Sequence, residues 1–251
     1  MPRHTPVPGG VAVLELAVAL GAPPSVRFND LPQPVVRHEG KWLALIGIPL
    51  DTLPGTHEIV VESGKGRQLQ RLEVRAKHYP TQILRIADKK MVTPPPELEA
   101  RIEAEAARIA GWKRHFSGDT APETRFDLPA TGPRSAKFGV KRVLNGEPRS
   151  PHAGLDVAVG VGAPLRSPAP GTVLAVDDLY FTGKTVVIDH GQGVLTLYAH
   201  LSRIDVAPGQ ELRRGEVFGA SGVSGRITGP HLHWVVILGG TAVDPELFLS
   251  D

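Results

Sequence analysis

Cysteine is missing altogether from the 251 residues. That excludes a disulfide framework and any thiolate metal site, so a transition metal in this chain has to sit on histidine and carboxylate. A surplus of charge is missing too. The formal net charge is +2, with no Lys/Arg-rich block or basic amphipathic helix, so the electrostatic footprint of a nucleic-acid-binding protein is absent. Long apolar runs are also wanting. The nearest, Val11 to Ala22, is interrupted by Glu15 and falls short of the roughly 18 residues that a transmembrane helix needs. One basic residue, Arg3, precedes it and a poor cleavage site, Ala22-Pro-Pro-Ser25, follows it, so it reads as a first strand and a signal peptide is expected to be absent.

Glycine and proline, by contrast, are plentiful at 28 and 24, and they cut the apolar residues into short segments, the pattern of many strands joined by turns. From Val11 to about Ala76, segments such as Trp42-Leu-Ala-Leu-Ile46, His57-Glu-Ile-Val-Val61 and Arg71-Leu-Glu-Val-Arg75 predict a small antiparallel β-sandwich. After Tyr79-Pro80 the period changes. Thr93 as cap, Pro94 and Pro95 in a first turn, and Leu98, Ile102, Ala106 and Ile109 at helical spacing predict one helix whose apolar stripe packs on a domain, with Gly111 as its stop. Phe116 to Pro133 has no clear period and reads as an extended linker. Beyond it, Gly171-Thr-Val-Leu-Ala-Val176, Thr185-Val-Val-Ile-Asp189, Val194-Leu-Thr-Leu-Tyr198 and His231-Leu-His-Trp-Val-Val-Ile237 predict a second, nearly all-β unit. The step Asp189-His-Gly-Gln-Gly193 suits a hairpin, since its glycines accept positive φ.

Of ten histidines, four have neighbours that make chemistry plausible: His152, His200, His231 and His233. In Pro230-His-Leu-His-Trp234 the two histidines lie two apart on an apolar strand and so project from one face, with Leu232 on the other. Such a pair serves as two metal ligands, or as one ligand beside one proton-transfer group. His152-Ala-Gly-Leu-Asp156 adds a nitrogen and an oxygen donor, with Gly154 letting the chain bend so that both face one ion. Two histidines and one carboxylate leave a coordination position for water, the arrangement of a catalytic rather than a structural zinc site. Tyr198, two residues before His200, shares its face on strand alternation and either lines the cleft or belongs to the core. His190 reads as a structural residue of the hairpin step.

His-x-x-x-Asp and His-x-His occur here in that order, accompanied by Lys137-Phe-Gly139, Asn145-Gly146, Ala169-Pro-Gly-Thr-Val173, Asp189-His-Gly191, Tyr198-Ala-His-Leu-Ser202 and Gly229-Pro-His-Leu-His-Trp234. From roughly Arg134 to Leu249 the chain thereby resembles the lysostaphin/LytM-type (M23) zinc metallopeptidases. Ser224 and Ser167 depart from that pattern, outside the ligand positions. The resemblance implies that His152, Asp156 and His233 bind one Zn²⁺ per chain and that His200 and His231 are catalytic beside it; Asn145, in a loop expected to border the cleft, and Tyr198 are the candidate substrate-binding residues.

The expected architecture is mostly β: an Ig-like N-terminal sandwich (1–80), a connecting helix and linker (81–132) and an all-β LytM-type peptidase domain (133–251). The activity implied is hydrolysis of peptide cross-links in peptidoglycan. The sandwich followed by a helix resembles that of Gram-negative envelope members of the family, which implies the D-Ala–diaminopimelate bond and a periplasmic or cell-envelope location. A non-enzymatic peptidoglycan-binding or amidase-activating relative, and a glycyl-glycine endopeptidase, are the alternatives within the family. A carbohydrate-binding sandwich with incidental histidines is the alternative outside it.

Overall fold

The computed structural model describes residues 1–19, 21–64, 66–85, 94–118 and 121–249. Thr93, the expected helix cap, lies outside them. The first strand is Val11–Glu15, as the interrupted apolar run predicts. It pairs antiparallel with Lys41–Gly47, which in turn pairs with Val35–His38. A second sheet of Leu31–Pro32, Ser25–Phe28, Gly55–Ser63 and Gly66–Val74 faces it, and Ala12, Ala44, Ile46, Val26, Ile59 and Val61 are among the core residues between the two.

The period of two also links the sandwich to the C-terminal half. Val11 and Leu45, on the opposite face of the first sheet, join the core of that half. One sheet therefore serves two cores. Gly47 sits at the junction, where a Cβ would meet the carbonyl oxygen of Leu238 at 2.4 Å, a distance only a residue without a side chain tolerates.

The C-terminal half is built on a ten-stranded sheet. Its central run is Gly171–Leu179, Gly183–Asp189, Val194–Ile204, Leu232–Leu238, Leu155–Val157 and Arg134–Ala136, each antiparallel to the next. Along Leu232–Leu238 the side chains alternate. Leu232, Trp234, Val236 and Leu238 enter the main core, whereas Val235 and Ile237 join Ala175, Val187, Leu195, Leu197 and Ala199 on the other face. Trp112 of the helix packs against that second face. The turn at 190–193 has Gln192, Gly191 and Gly193 at positive φ, in keeping with the predicted hairpin. His190 in it is buried.

Three expectations need correction or refinement. The helix runs Glu99–Lys113, so Gly111 lies inside it. Its innermost side chain is not one of the apolar stripe but Glu105, while Ala106 is exposed. Within the stretch expected to connect the two halves, Thr81–Leu84 forms a strand running parallel to Lys141–Leu144, and Phe126 is fully buried, stacked on Phe248 with ring centroids 5.4 Å apart. Among the described residues no helix is long and apolar enough to cross a membrane.

Candidate metal centre

Adjacent strands bring the centre together. Asp156 on Leu155–Val157 is directly opposite His233 on Leu232–Leu238, and His233 is opposite Ala199. His152 arrives from the loop before Asp156, and that loop lies so close to the neighbouring strand that a Cβ on Gly154 would meet the Trp234 carbonyl oxygen at 2.4 Å. The result is three donor atoms turned toward one point: His152 Nε2, Asp156 Oδ1 and His233 Nδ1 all lie within 4.8 Å of one another. His152 and Asp156 are buried and His233 is half-buried.

Proton positions follow from the partners. His152 Nδ1 is 2.9 Å from the carbonyl oxygen of Lys137, and a carbonyl only accepts, so Nδ1 carries the ring proton. Neutral His152 then presents a bare Nε2 lone pair to Asp156 Oδ1 at 2.9 Å and to His233 Nδ1 at 3.0 Å. Lone pairs aimed at a carboxylate oxygen repel unless a positive charge lies between them, so the arrangement calls for a proton or a metal ion. Burial raises the carboxyl pKa of Asp156, but the hydrogen bonds from His152 and His233, with the attraction of either ring when protonated, outweigh it and hold the group well below the usual carboxylate range. His233 is pushed down, chiefly by burial. An anionic oxygen between two neutral imidazole nitrogens is the donor set that Zn²⁺ accepts in catalytic sites; magnesium and calcium prefer oxygen throughout. The residues present fit a zinc ion.

Beside this triad stand His200 and His231, their rings 5.0 Å apart between centroids and His200 6.1 Å from the ring of His233. Their tautomers are set in the same way. His200 Nδ1 donates to the Ser224 carbonyl at 2.8 Å and His231 Nδ1 to the Gly229 carbonyl at 2.8 Å, so that in the neutral ring of each Nε2 is the bare nitrogen. His231 Nε2 lies 3.8 Å from Asp156 Oδ1. Burial first, then the charge of His233, lowers the pKa of His200 to about 4, so it is neutral around pH 7.

Tyr198 does not line this cleft. It is fully buried, with its hydroxyl on Thr196 Oγ1 at 2.8 Å and its ring against Phe218. The reason is a bulge. The register between Gly183–Asp189 and Val194–Ile204 shifts between the pairs Lys184–Leu201 and Val186–Tyr198, and His200 has φ +66°. Alternation breaks there, sending Tyr198 to the core and His200 to the site. Backbone in the left-handed region costs a residue with a Cβ about 1–3 kcal/mol, and such outliers gather at functional sites. Here His200 N–H donates to the Thr182 carbonyl at 2.8 Å, which holds the conformation. Asn145 is exposed in the turn after Lys141–Leu144, its backbone N–H on the Leu84 carbonyl; its neighbours Arg142 and Leu144, rather than Asn145, line the cavities at the metal centre.

The walls of the site carry no signature in the sequence. A small pocket of about 160 Å³ holds Asp156, His200, His231 and His233, with Arg142 and Arg226 among its lining. It shares Arg142, Leu144, Phe181, Arg226 and His233 with a cavity of about 740 Å³. Arg142 Nη2 is 3.4 Å from Asp156 Oδ2, the oxygen on the far side of the carboxylate from the two imidazoles. Arg226 lies over the Phe181 ring, 4.3 Å from its centroid. On the outer side Glu105 accepts from Tyr180 N–H at 2.7 Å and from Arg101 Nε at 2.6 Å, tying the helix to the loop that carries Phe181.

Known proteins resemble this chain. The profile of peptidase family M23 matches residues 150–245, and that of the peptidase family M23 N-terminal domain matches residues 4–77. A crystal structure from Pseudomonas aeruginosa assigned to peptidase M23 is 41% identical, with a TM-score of 0.84 and coverage of 98% of this chain and 95% of that one. The peptidoglycan DD-endopeptidase ShyA of Vibrio cholerae is 42% identical over 95 residues, 38% of this chain and 22% of that protein. The DD-carboxypeptidase/endopeptidase Mpg of Neisseria meningitidis is 44% identical over 94 residues, again 38% and 22%. The matched segment thus spans about a fifth of these curated relatives.

Proposed function

The chain belongs to peptidase family M23, and from that premise we propose that it is a zinc-dependent endopeptidase that hydrolyses the peptide cross-links of peptidoglycan. The observation that carries the reading is the convergence of His152 Nε2, Asp156 Oδ1 and His233 Nδ1 beside two histidines whose unprotonated Nε2 atoms are fixed by backbone carbonyls. When bound, the ion supplies Lewis acidity, polarising a carbonyl and bringing the pKa of water toward about 7.

The chain's own residues do the rest. His152, Asp156 and His233 hold the ion. Lys137 orients His152 through its carbonyl, and Arg142 keeps the second carboxylate oxygen of Asp156 engaged, the outer-layer contacts that set ligand direction. His200 and His231 share the proton work at Nε2: one accepts from the attacking water, and the other hydrogen-bonds the oxyanion or returns a proton to the leaving amine. The non-enzymatic alternative is marked by loss of such residues, and here all five are present and assembled.

The names of the relatives support the substrate. ShyA bears the name peptidoglycan DD-endopeptidase and Mpg the name DD-carboxypeptidase/endopeptidase, so the bond assigned here is that between D-alanine and diaminopimelate. The place of action is the cell envelope, where that polymer lies. The division into a sandwich (1–80), connector (81–132) and peptidase domain (133–251) is part of the same reading. Incubating the zinc-loaded protein with purified dimeric diaminopimelate muropeptides and with pentaglycine tests it: monomers from the first and little cleavage of the second are expected. Rapid cleavage of pentaglycine with the dimers intact would replace the substrate assignment by the glycine-bridge alternative.

A further inference from the structure

The arginines at the cleft are unequally placed. Arg142, Arg149 and Arg226 all line the cavity of about 740 Å³, together with Glu99, Glu103 and Glu147. Glu147 pairs with Arg149, and Glu99 and Glu103 come from the helix on the outer side. Only Arg142 and Arg226 continue into the small pocket with the catalytic histidines, and there Asp156 is the sole acidic residue among those that line it. Around the metal centre, then, two guanidinium groups face one carboxylate, and that carboxylate is already committed, through Oδ1 to His152 and His233 and through Oδ2 to Nη2 of Arg142.

Burial first, then the charges of Arg142 and Arg149, lowers the pKa of Arg226. Arg142 Nε is buried without a hydrogen-bond partner among the described residues. Like charges gathered in a cleft raise the local concentration of an anion, and guanidinium groups bind carboxylates with two-point geometry.

We propose that Arg142 and Arg226 bind the free carboxylate next to the scissile amide of a diaminopimelate cross-link, and thereby select such cross-links over glycine bridges. In that cross-link the leaving amine sits on a carbon that also bears a carboxylate; in pentaglycine no charged group is attached near the amide. A substrate seated with its amide carbonyl at the metal centre places this carboxylate a few bonds away, within the pocket that the two arginines line. The inference rests on the endopeptidase reading, and its test separates the two.

Two cross-linked peptides identical except at this carbon, one with the carboxylate and one with the primary carboxamide, are offered to the zinc-loaded full chain. The corresponding amine products are titrated calorimetrically. A charge-assisted contact of this type corresponds to a factor of about 10–100. The wild type is expected to prefer the acid by that factor in kcat/KM, mainly through KM, and to bind the acid product more tightly. Arg226→Gln is expected to bring both preferences close to one while zinc content stays stoichiometric. Equal cleavage of the two peptides by the wild type overturns carboxylate selection and leaves the endopeptidase reading intact. If neither peptide is cut and neither product binds, the endopeptidase reading fails and this inference with it.

Discussion

Nε2 of His152 and Nδ1 of His233 face each other at 3.0 Å, and both are turned on the same oxygen of Asp156, at 2.9 and 2.7 Å. With the far nitrogen of His152 committed to a carbonyl, this contact needs a shared positive charge. Removing any one of the three donors leaves the ion with two. Asp156→Ala and His233→Ala are therefore expected to purify with little zinc, and added zinc should no longer raise their melting temperature as it raises that of the wild type. Full zinc occupancy by elemental analysis in both variants would show that the ligand set is misassigned.

His200 and His231 lie outside the donor set but beside it, His231 Nε2 3.8 Å from Asp156 Oδ1 and the His200 ring 6.1 Å from that of His233. His200→Ala and His231→Ala should keep stoichiometric zinc and lose turnover by about 10²–10⁴-fold, the usual worth of a positioned proton-transfer or oxyanion group. Parent-like hydrolysis of wall fragments by either variant removes that residue from the mechanism.

His190 gives a stability prediction separate from the site. It donates from Nδ1 to the Pro170 carbonyl and accepts at Nε2 from Thr196, whose hydroxyl in turn accepts from Tyr198. Burial lowers its pKa to about 4, against roughly 6.5 in an unfolded chain. A depressed histidine pKa means that the unfolded state takes up the proton first. This contribution is present above pH 6.5 and is lost as pH falls toward 4, on the order of 3 kcal/mol in all. His190→Gln keeps a donor and an acceptor without titrating. Between pH 7 and pH 5 the unfolding free energy of the wild type should fall by about 2 kcal/mol more than that of the variant; equal slopes in urea titrations would contradict it.

Glu105→Ala tests how the helix supports the cleft. It leaves the Tyr180 N–H, to which Glu105 is bound at 2.7 Å, without its acceptor, a loss of about 1–3 kcal/mol. Because the same loop carries Phe181, whose carbonyl accepts from Arg226 N–H, KM should rise while zinc content stays at one per chain. A wild-type KM in a destabilised variant would confine Glu105 to a structural role.

Much of this was legible from side-chain periodicity. Leu232 and Trp234 go to the core while His233 faces the metal centre because a strand alternates, and the spacing of His152 and Asp156 around Gly154 already placed two donors on one loop. What alternation could not reveal was its own interruption. The positive φ of His200 has no marker in Tyr198-Ala-His-Leu-Ser202, since the apolar pattern runs straight through it, and so alternation leaves Tyr198 open to either the cleft or the core. Glu105 was hidden for a related reason: a glutamate in a helix reads as solvent-facing unless its distant partner, the backbone of Tyr180, is known. Arg142 and Arg226 are 84 positions apart and carry no mutual signature, so only the folded chain reveals them as walls of one pocket.

The central claim is that zinc held by His152, Asp156 and His233 makes this chain a peptidase of cross-linked wall peptide. Purified sacculi with diaminopimelate cross-links, digested with zinc-loaded and with chelator-treated protein and then analysed by mass spectrometry, test it most directly. Cross-linked dimers are expected to disappear and monomers to accumulate with the loaded protein alone, the glycan strands staying whole. Dimers left intact by a protein that carries one zinc per chain would contradict it.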